Sequence, residues 1–351
     1  MRSAPRPTPD RRGGGAKHGS NGFRRKASPL PGRVPVRIAP AEVAVVGAGA
    51  WGLALAVQAH RAGRRVTLWA RDPAQIGARL PGITAPADIL RTGTLPSAPL
   101  VLLAVPVPHL RAVAAALPGG GPVICCAKGI EAATLALPLE LLAQVQPGRP
   151  AGVLTGPTFA REIAAGLPAA AVLAAGAERV RAEAIAALAT PAFRLYGNED
   201  VIGAQVGGAA KNVVAIAAGA VIGAGLGENA RAALVTRALA EMARLAQALG
   251  GRAETVAGLS GLGDLLLTCT SAQSRNFRFG LALGRGETPD AILAGHTEAV
   301  EGVPTAPALV ARAARAGTAV PVCAAVAGVL EGRISLAQAI AALLARPLRD
   351  E

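Results

Sequence analysis

Three glycines spaced Gly47-x-Gly49-x-x-Gly52 separate a short apolar run, Glu42-Val-Ala-Val-Val46, from an Ala/Leu-rich stretch that reaches about Ala62. A strand feeding a glycine turn at the head of a helix is the context in which this spacing binds a dinucleotide. Gly47 permits the tight turn, Gly49 lets the backbone approach a pyrophosphate, and Gly52 lets helix and strand pack closely. The phosphates then rest on the helix N-terminus, where free N–H groups face them. A turn of this kind belongs to a parallel sheet with helices on its faces.

The following residues repeat that alternation. Apolar runs of strand length lie at Arg65–Trp69, Leu100–Val105, Pro122–Cys126, Ala151–Leu154, Ala169–Leu173 and Phe193–Tyr196, with helical stretches at about His109–Leu117, Thr134–Gln144 and Arg179–Leu188. After about Gly203 strand-like runs cease, and helices are expected near Gln205–Ile222, Ala230–Leu249, Arg275–Leu283, Ala306–Ala316 and Leu336–Leu344. The 351 residues suffice for two domains. The expected architecture is α/β: a Rossmann-type, doubly wound sheet over residues 40–203, then an all-helical substrate domain over 204–351.

Net charge is +14, but residues 1–39 hold ten Arg or Lys against the single acid Asp10, so about +9 sits in that tail. With Pro5, Pro7, Pro9, Pro29, Pro31 and the run Gly13–Gly15, and no apolar period, the tail reads as a disordered, solvated extension. A polybasic tail also suits RNA or anionic lipid, yet nothing else in the chain points to nucleic acid, and no such partner is expected. No uncharged apolar stretch reaches the roughly 18 residues of a membrane span, and the N-terminus lacks a signal peptide's apolar segment. Cys125, Cys126, Cys269 and Cys323 have no metal or redox spacing, and His18, His60, His109 and His296 form no metal motif. A cytoplasmic protein without a metal is the expectation.

The second strand ends Leu68-Trp69-Ala70-Arg71-Asp72. An acid there accepts from the ribose 2′-OH of NAD, whereas an Arg accommodates the 2′-phosphate of NADP. Arg71 favours NADP(H), with NAD(H) as the alternative. Lysine usage is sharper still. Of 36 basic residues only four are Lys, and beyond the tail only Lys128 and Lys211. Where Arg serves every other cationic purpose, two retained lysines suggest a task needing a cation that can release its proton.

Five distant segments, Ala127-Lys-Gly-Ile-Glu131, Leu154-Thr-Gly-Pro-Thr-Phe-Ala160, Ala210-Lys-Asn212, Gly258-Leu-Ser-Gly-Leu-Gly-Asp264 and Ser274-Arg-Asn276, occur in the order found in bacterial NAD(P)-dependent glycerol-3-phosphate dehydrogenases. The chain resembles that family from about Val43 to its last helices. The resemblance implies reduction of dihydroxyacetone phosphate to sn-glycerol 3-phosphate, a precursor of glycerophospholipids.

By that resemblance Lys211 is the catalytic acid/base. It sits among small residues, Gly207-Gly-Ala-Ala-Lys-Asn-Val, whose close packing would desolvate the ammonium and lower its pKa. Lys128, at a strand's C-terminal end, is implied to contact substrate and cofactor and to polarise the carbonyl. Gly156 and Thr158 are implied substrate contacts, and Ala160 a cofactor contact. From sequence alone Asp264 is as readily a plain helix N-cap as a site residue; the resemblance makes it a partner of Lys211 and of the substrate hydroxyl, with Thr268 on the same helical face. Ser274, Arg275 and Asn276 open a helix with a hydroxyl, a guanidinium fork and an amide, a combination suited to phosphate. The resemblance adds cofactor contacts for Arg275, Ala299 and Glu301, and backbone or ring contacts for Ala50 and Trp51.

Two other readings stay open at this level. One is a related two-domain dehydrogenase acting on a hydroxy acid or an acyl thioester, which would have no use for a phosphate clamp at Ser274–Asn276. The other is a non-catalytic dinucleotide-binding regulator, which would need neither Lys211 nor Asp264. A homodimer is the assembly considered, and no residue pattern fixes it.

Overall fold

Strands that are buried on both faces need apolar residues at every position, and the run Val43–Val46 has no exposed surface at all. It forms β1 of an eight-stranded sheet. In the computed structural model, which describes residues 43–76, 80–295 and 299–345, the chain continues with α1 (Ala50–Arg61), β2 (Val66–Trp69), β3 (Leu90–Thr92), β4 (Leu100–Leu103), α2 (Val107–Ala116) and β5 (Val123–Cys125). Then follow α3 (Pro138–Val145), β6 (Ala151–Thr155), α4 (Ala160–Ala165), β7 (Ala169–Ala174), α5 (Glu178–Leu188) and β8 (Phe193–Asn198). The tail expected over residues 1–39 lies outside the described residues.

The strand order is β3-β2-β1-β4-β5-β6-β7-β8. The order in which strands are added reverses between β1 and β4, which pair in parallel, and the crevice at such a point is where doubly wound sheets take ligands. Along β4, Leu100 and Leu102 join the core on one face, and Val101 and Leu103 the core on the other. With so few aromatic side chains, Leu, Val and Ala fill both layers.

A wholly parallel sheet is not what forms: β7 runs antiparallel to β6, and β8 parallel to β7. The cause lies in the connection. A parallel return must span the strand's length, roughly 17 Å for five residues. The six residues of α4 cover only about 9 Å before Gly166, left-handed at φ +80, ends the helix. Nor does a helix start at Thr134. Pro138 sets the first turn of α3, and Leu135 before it takes a φ of +62.

The second half is helical: α6 (Val201–Gly223), α7 (Gly227–Ala248), α8 (Ala253–Ala257), a π turn over Leu259–Gly263, α9 (Asp264–Thr270), α10 (Arg275–Gly284), α11 (Pro289–Ala294), α12 (Gly302–Arg315), α13 (Pro321–Leu330) and α14 (Leu336–Leu344). Among the described residues α6 alone is long and apolar enough to cross a membrane, and 89% of its apolar window is buried by the other helices and the sheet. It is the core around which this half is packed. Gly219 and Gly223 of α6 interleave with Gly280 and Gly284 of α10, where a Cβ would lie 1.9–2.3 Å from the facing carbonyl oxygens. The two backbones therefore touch, which brings the start of α10 against the middle of α6.

Candidate active site

The glycine turn fits a dinucleotide. A Cβ on Gly52 would fall 1.7 Å from the Gly47 carbonyl oxygen, so strand and helix are in backbone contact there. A Cβ on Gly49 would meet nothing within 4 Å, so that position opens onto free space. Gly49 caps α1 without a side-chain hydrogen bond, and the first intrahelical N–H bond is Leu53 to Gly49. The N–H groups of Ala50, Trp51 and Gly52 thus remain for an anion. The buried indole N–H of Trp51 has no acceptor among the described residues.

A cleft of about 450 Å³ opens beside this turn. Of the residues expected at a site, Ala50, Trp51, Lys128, Thr158, Ala160, Lys211, Ser274, Arg275, Asn276 and Glu301 line it. Gly47, Gly52 and Gly156 are buried, Gly49 opens onto free space, Asp264 is fully buried beneath the lysines, and Ala299 is exposed and does not line the cleft. Arg71 is also exposed, just past the end of β2. The neighbouring Asp72 accepts from the N–H of Ala74 and so caps the turn Pro73–Gln75.

The centre is a carboxylate shared by two ammonium groups. Lys211, halfway along α6, donates to Asp264 Oδ1 at 2.6 Å and to Thr268 Oγ1 at 3.1 Å. Lys128, just past β5, donates to Asp264 Oδ2 at 2.6 Å and to the Gly156 carbonyl at 3.3 Å. Thr268, one turn after Asp264, donates back to the Asp264 carbonyl at 2.6 Å. Asp264 is therefore no helix cap. It is the first residue of α9, Gly263 occupies the cap position, and the carboxylate faces inward. Gly207, one turn before Lys211, permits this approach: a Cβ there would lie 2.4 Å from the Ser260 carbonyl, in the π turn that delivers Asp264.

Burial dominates the electrostatics. It pushes the Lys211 ammonium down to about 8, more than Asp264 raises it, and the nearby Lys128 adds to the fall. For Asp264 burial alone would raise the carboxyl, but Lys128 and Lys211 together hold it below its ordinary value. Glu301 shifts the other way: burial pushes it up against the pull of Arg275, Lys211 and Lys128. The cleft wall is strongly cationic, with Arg161 and Arg278 joining Lys128, Lys211 and Arg275, and it suits an anionic ligand.

At the mouth of α10 the side chains are partly committed to the fold. Ser274 Oγ accepts from the N–H of Phe277 as the helix cap. Asn276 accepts from the N–H of Gly302 at 2.9 Å and donates to Asn212 Oδ1 at 3.0 Å. One amide hydrogen of Asn276 is left for a ligand. Asn212 in turn donates to Glu301 at 3.4 Å, so an amide chain joins α10, α6 and the start of α12 on the helical side of the cleft. Thr158 donates to the Gly156 carbonyl. Sequence reasoning had not placed Arg161, Gln273 or Arg278 in the cleft. Arg278 lies three residues from Arg275 on one helix, a spacing that signals a shared face.

These features recur in known proteins. The model of the N-terminus of NAD-dependent glycerol-3-phosphate dehydrogenases matches residues 42–181, and that of the C-terminus residues 200–341. The NAD(P)+ glycerol-3-phosphate dehydrogenase of Acidiphilium cryptum is 55% identical over 321 residues, which cover 88% of this chain and 98% of that one. Its counterpart in Gluconobacter oxydans is 51% identical over 314 residues, with 87% and 97% covered. The crystal structure of the Coxiella burnetii glycerol-3-phosphate dehydrogenase superimposes with a TM-score of 0.83 at 35% identity, spanning 87% of this chain and 99% of that chain. The chain belongs to the NAD(P)-dependent glycerol-3-phosphate dehydrogenase family.

Proposed function

We propose that this protein reduces dihydroxyacetone phosphate to sn-glycerol 3-phosphate with NAD(P)H, supplying glycerophospholipid synthesis. The observation that carries the reading is the buried Lys128–Asp264–Lys211 centre facing a cationic cleft. Bound reduced nicotinamide supplies the hydride that the carbonyl carbon accepts. Lys211, protonated beforehand, gives its proton to the carbonyl oxygen as the C–O bond becomes an alcohol. Burial makes that transfer feasible, because the amine left behind is neutral and needs no counter-charge. Lys128 polarises the same oxygen, and Asp264 keeps both ammonium groups aimed at it. Arg275, the free amide hydrogen of Asn276 and the head of α10 bind the phosphate, while Gly156 and Thr158 flank the substrate. Gly47, Gly49, Ala50, Trp51 and Gly52 would hold the pyrophosphate, with Ala160, Arg275 and Glu301 along the rest of the dinucleotide; Ala299, exposed and outside the cleft lining, is given no contact.

The test is a pH profile of kcat/KM for dihydroxyacetone phosphate with NADPH. Reduction needs Lys211 charged, so the rate is full at lower pH and falls as pH rises through about 8. Oxidation of sn-glycerol 3-phosphate needs Lys211 neutral and rises through the same region. A flat profile, or limbs of the opposite sign, would overturn the role of Lys211; absence of the reaction would overturn the reading itself.

For the cofactor, Asp72 is engaged as a local cap, which leaves Arg71 as the cation at the end of β2 and supports a preference for NADPH. Arg71→Asp should lower the NADPH/NADH ratio of kcat/KM by about tenfold or more, since the new carboxylate repels a 2′-phosphate and accepts from a 2′-OH. An unchanged ratio would remove Arg71 from the ribose site.

A further inference from the structure

Lys128 stands in a connection without helix or strand, between β5 and α3. Its ammonium must nonetheless stay within 2.6 Å of Asp264 and 3.3 Å of the Gly156 carbonyl. A long side chain on a loose loop would not hold such distances, so something must fix the backbone beyond it. Gly129 is wedged at φ +154, where a Cβ would lie 2.9 Å from Thr305 Oγ1 and 3.1 Å from Val107. Ile130 is buried. Glu131 then accepts both Nε and Nη2 of Arg111, from the middle of α2, at 2.7 and 2.6 Å. The same Arg111 donates to Gln144 of α3 at 2.8 Å. One guanidinium therefore ties α2, the lysine-bearing loop and α3 together.

Glu131 also closes the loop on itself. Its N–H donates to the Ala136 carbonyl, its own carbonyl accepts from Leu135, and its carboxylate accepts the Thr134 hydroxyl. Leu135 is held at a φ of +62, the sole non-glycine residue with positive φ among those described. A backbone kept in that region is over-determined by its surroundings. The Arg111–Glu131 contact also differs from an ordinary surface pair. The side chains of Arg111 and Glu131 are 37% and 13% exposed, against 58% for both partners of Arg252–Glu199, and a forked, charge-assisted pair partly sheltered from water is stronger than a fully exposed one.

We propose that Glu131, gripped by Arg111, is a positioning residue for Lys128, fixing the turn from which that ammonium reaches the substrate carbonyl and Asp264. This rests on the reading of Lys128 and Lys211 given above. If the brace is cut, Lys128 withdraws from the centre. Lys211 faces Asp264 from α9, Lys128 from the loop and Glu301 beside α12. Losing Lys128 removes a repelling cation and leaves Asp264 to Lys211 alone, so the Lys211 ammonium holds its proton to higher pH.

Glu131→Gln and Arg111→Met should each lower kcat for dihydroxyacetone phosphate reduction by about tenfold, short of the roughly 10²-fold that a full 1 Å misplacement can cost. KM should change less, and the alkaline limb of the reduction should move up from its wild-type position. Arg312→Met is the control: it breaks the Arg312–Glu140 pair, 2.6 Å long and also on α3, and should lower Tm without moving kcat or the limb. Wild-type values in both folded brace variants would overturn the proposal, and so would an equal shift in Arg312→Met. Should Glu131→Gln fail to fold, Arg111→Lys keeps one charged contact and should give the same limb shift at smaller size. A wild-type enzyme that lacks the limb near 8 would instead count against the role given to Lys211, a separate result.

Discussion

Lys211→Arg should lower kcat for dihydroxyacetone phosphate reduction by about 10²–10⁴, the usual contribution of a general acid, while NADPH still binds. The substitution keeps the charge beside Asp264, so it separates proton transfer from anchoring. Lys211 is buried, and its ammonium is lowered to about 8, within reach of a proton exchange near neutrality. A guanidinium keeps its proton to a pKa above about 12 and cannot take this part. If Lys211 served only to hold an anion, Arg would do so at least as well, and kcat would stay within a few-fold of wild type. Fluorescence titration with NADPH is the check on integrity, because the glycine turn at Gly47–Gly52 lies on the other wall of the cleft. Retained kcat together with retained binding would return Lys211 to an anchoring role.

What the sequence discloses depends on whether a signal is local. The Gly47–Gly52 turn is written in consecutive residues, and the structure has strand, turn and helix there as read. The scarcity of lysine singled out Lys128 and Lys211, and they meet at one carboxylate. That carboxylate, though, lies 136 and 53 residues from its partners. No pattern within the Gly258–Asp264 segment distinguishes a buried counter-ion from a helix cap, and without the family resemblance the two readings stand level. The start of α12 shows the same limit. Pro304 and Pro307 suggest a helix only from about Ala306, yet it begins at Gly302, whose N–H is capped from a distance by Asn276. Proline is tolerated in a first turn, which accounts for Pro304 but not for Pro307, inside the helix; the cap comes from tertiary structure and leaves no mark nearby. The Arg111–Glu131 brace was equally hidden, because a single Arg on a helix looks like any solvated cation until its partner is in place.

Asp264→Asn should damage both the stability and the reaction of the centre. The side chain keeps its shape and loses its charge, leaving two ammonium groups in a buried site without their shared counter-ion. Removing one partner of a buried ion pair typically costs about 3–5 kcal/mol, and a fall in Tm is expected, eased in part because Lys211 can shed its proton. The effect on reaction follows from the same electrostatics. Burial already depresses the Lys211 ammonium, and Asp264 is the largest influence opposing that depression. Without it the ammonium falls further, so the alkaline limb of dihydroxyacetone phosphate reduction moves to lower pH, opposite to the direction expected for Glu131→Gln. At neutral pH less of the enzyme then carries the proton to be transferred, and both lysines lose the contact that aims them. Together these should reduce kcat/KM by about 10² or more, comparable to the loss of an electrostatic stabiliser from an active site. The limb's position decides the matter: if it stays in place or moves to higher pH in folded Asp264→Asn protein, Asp264 is not what sustains the charge on Lys211.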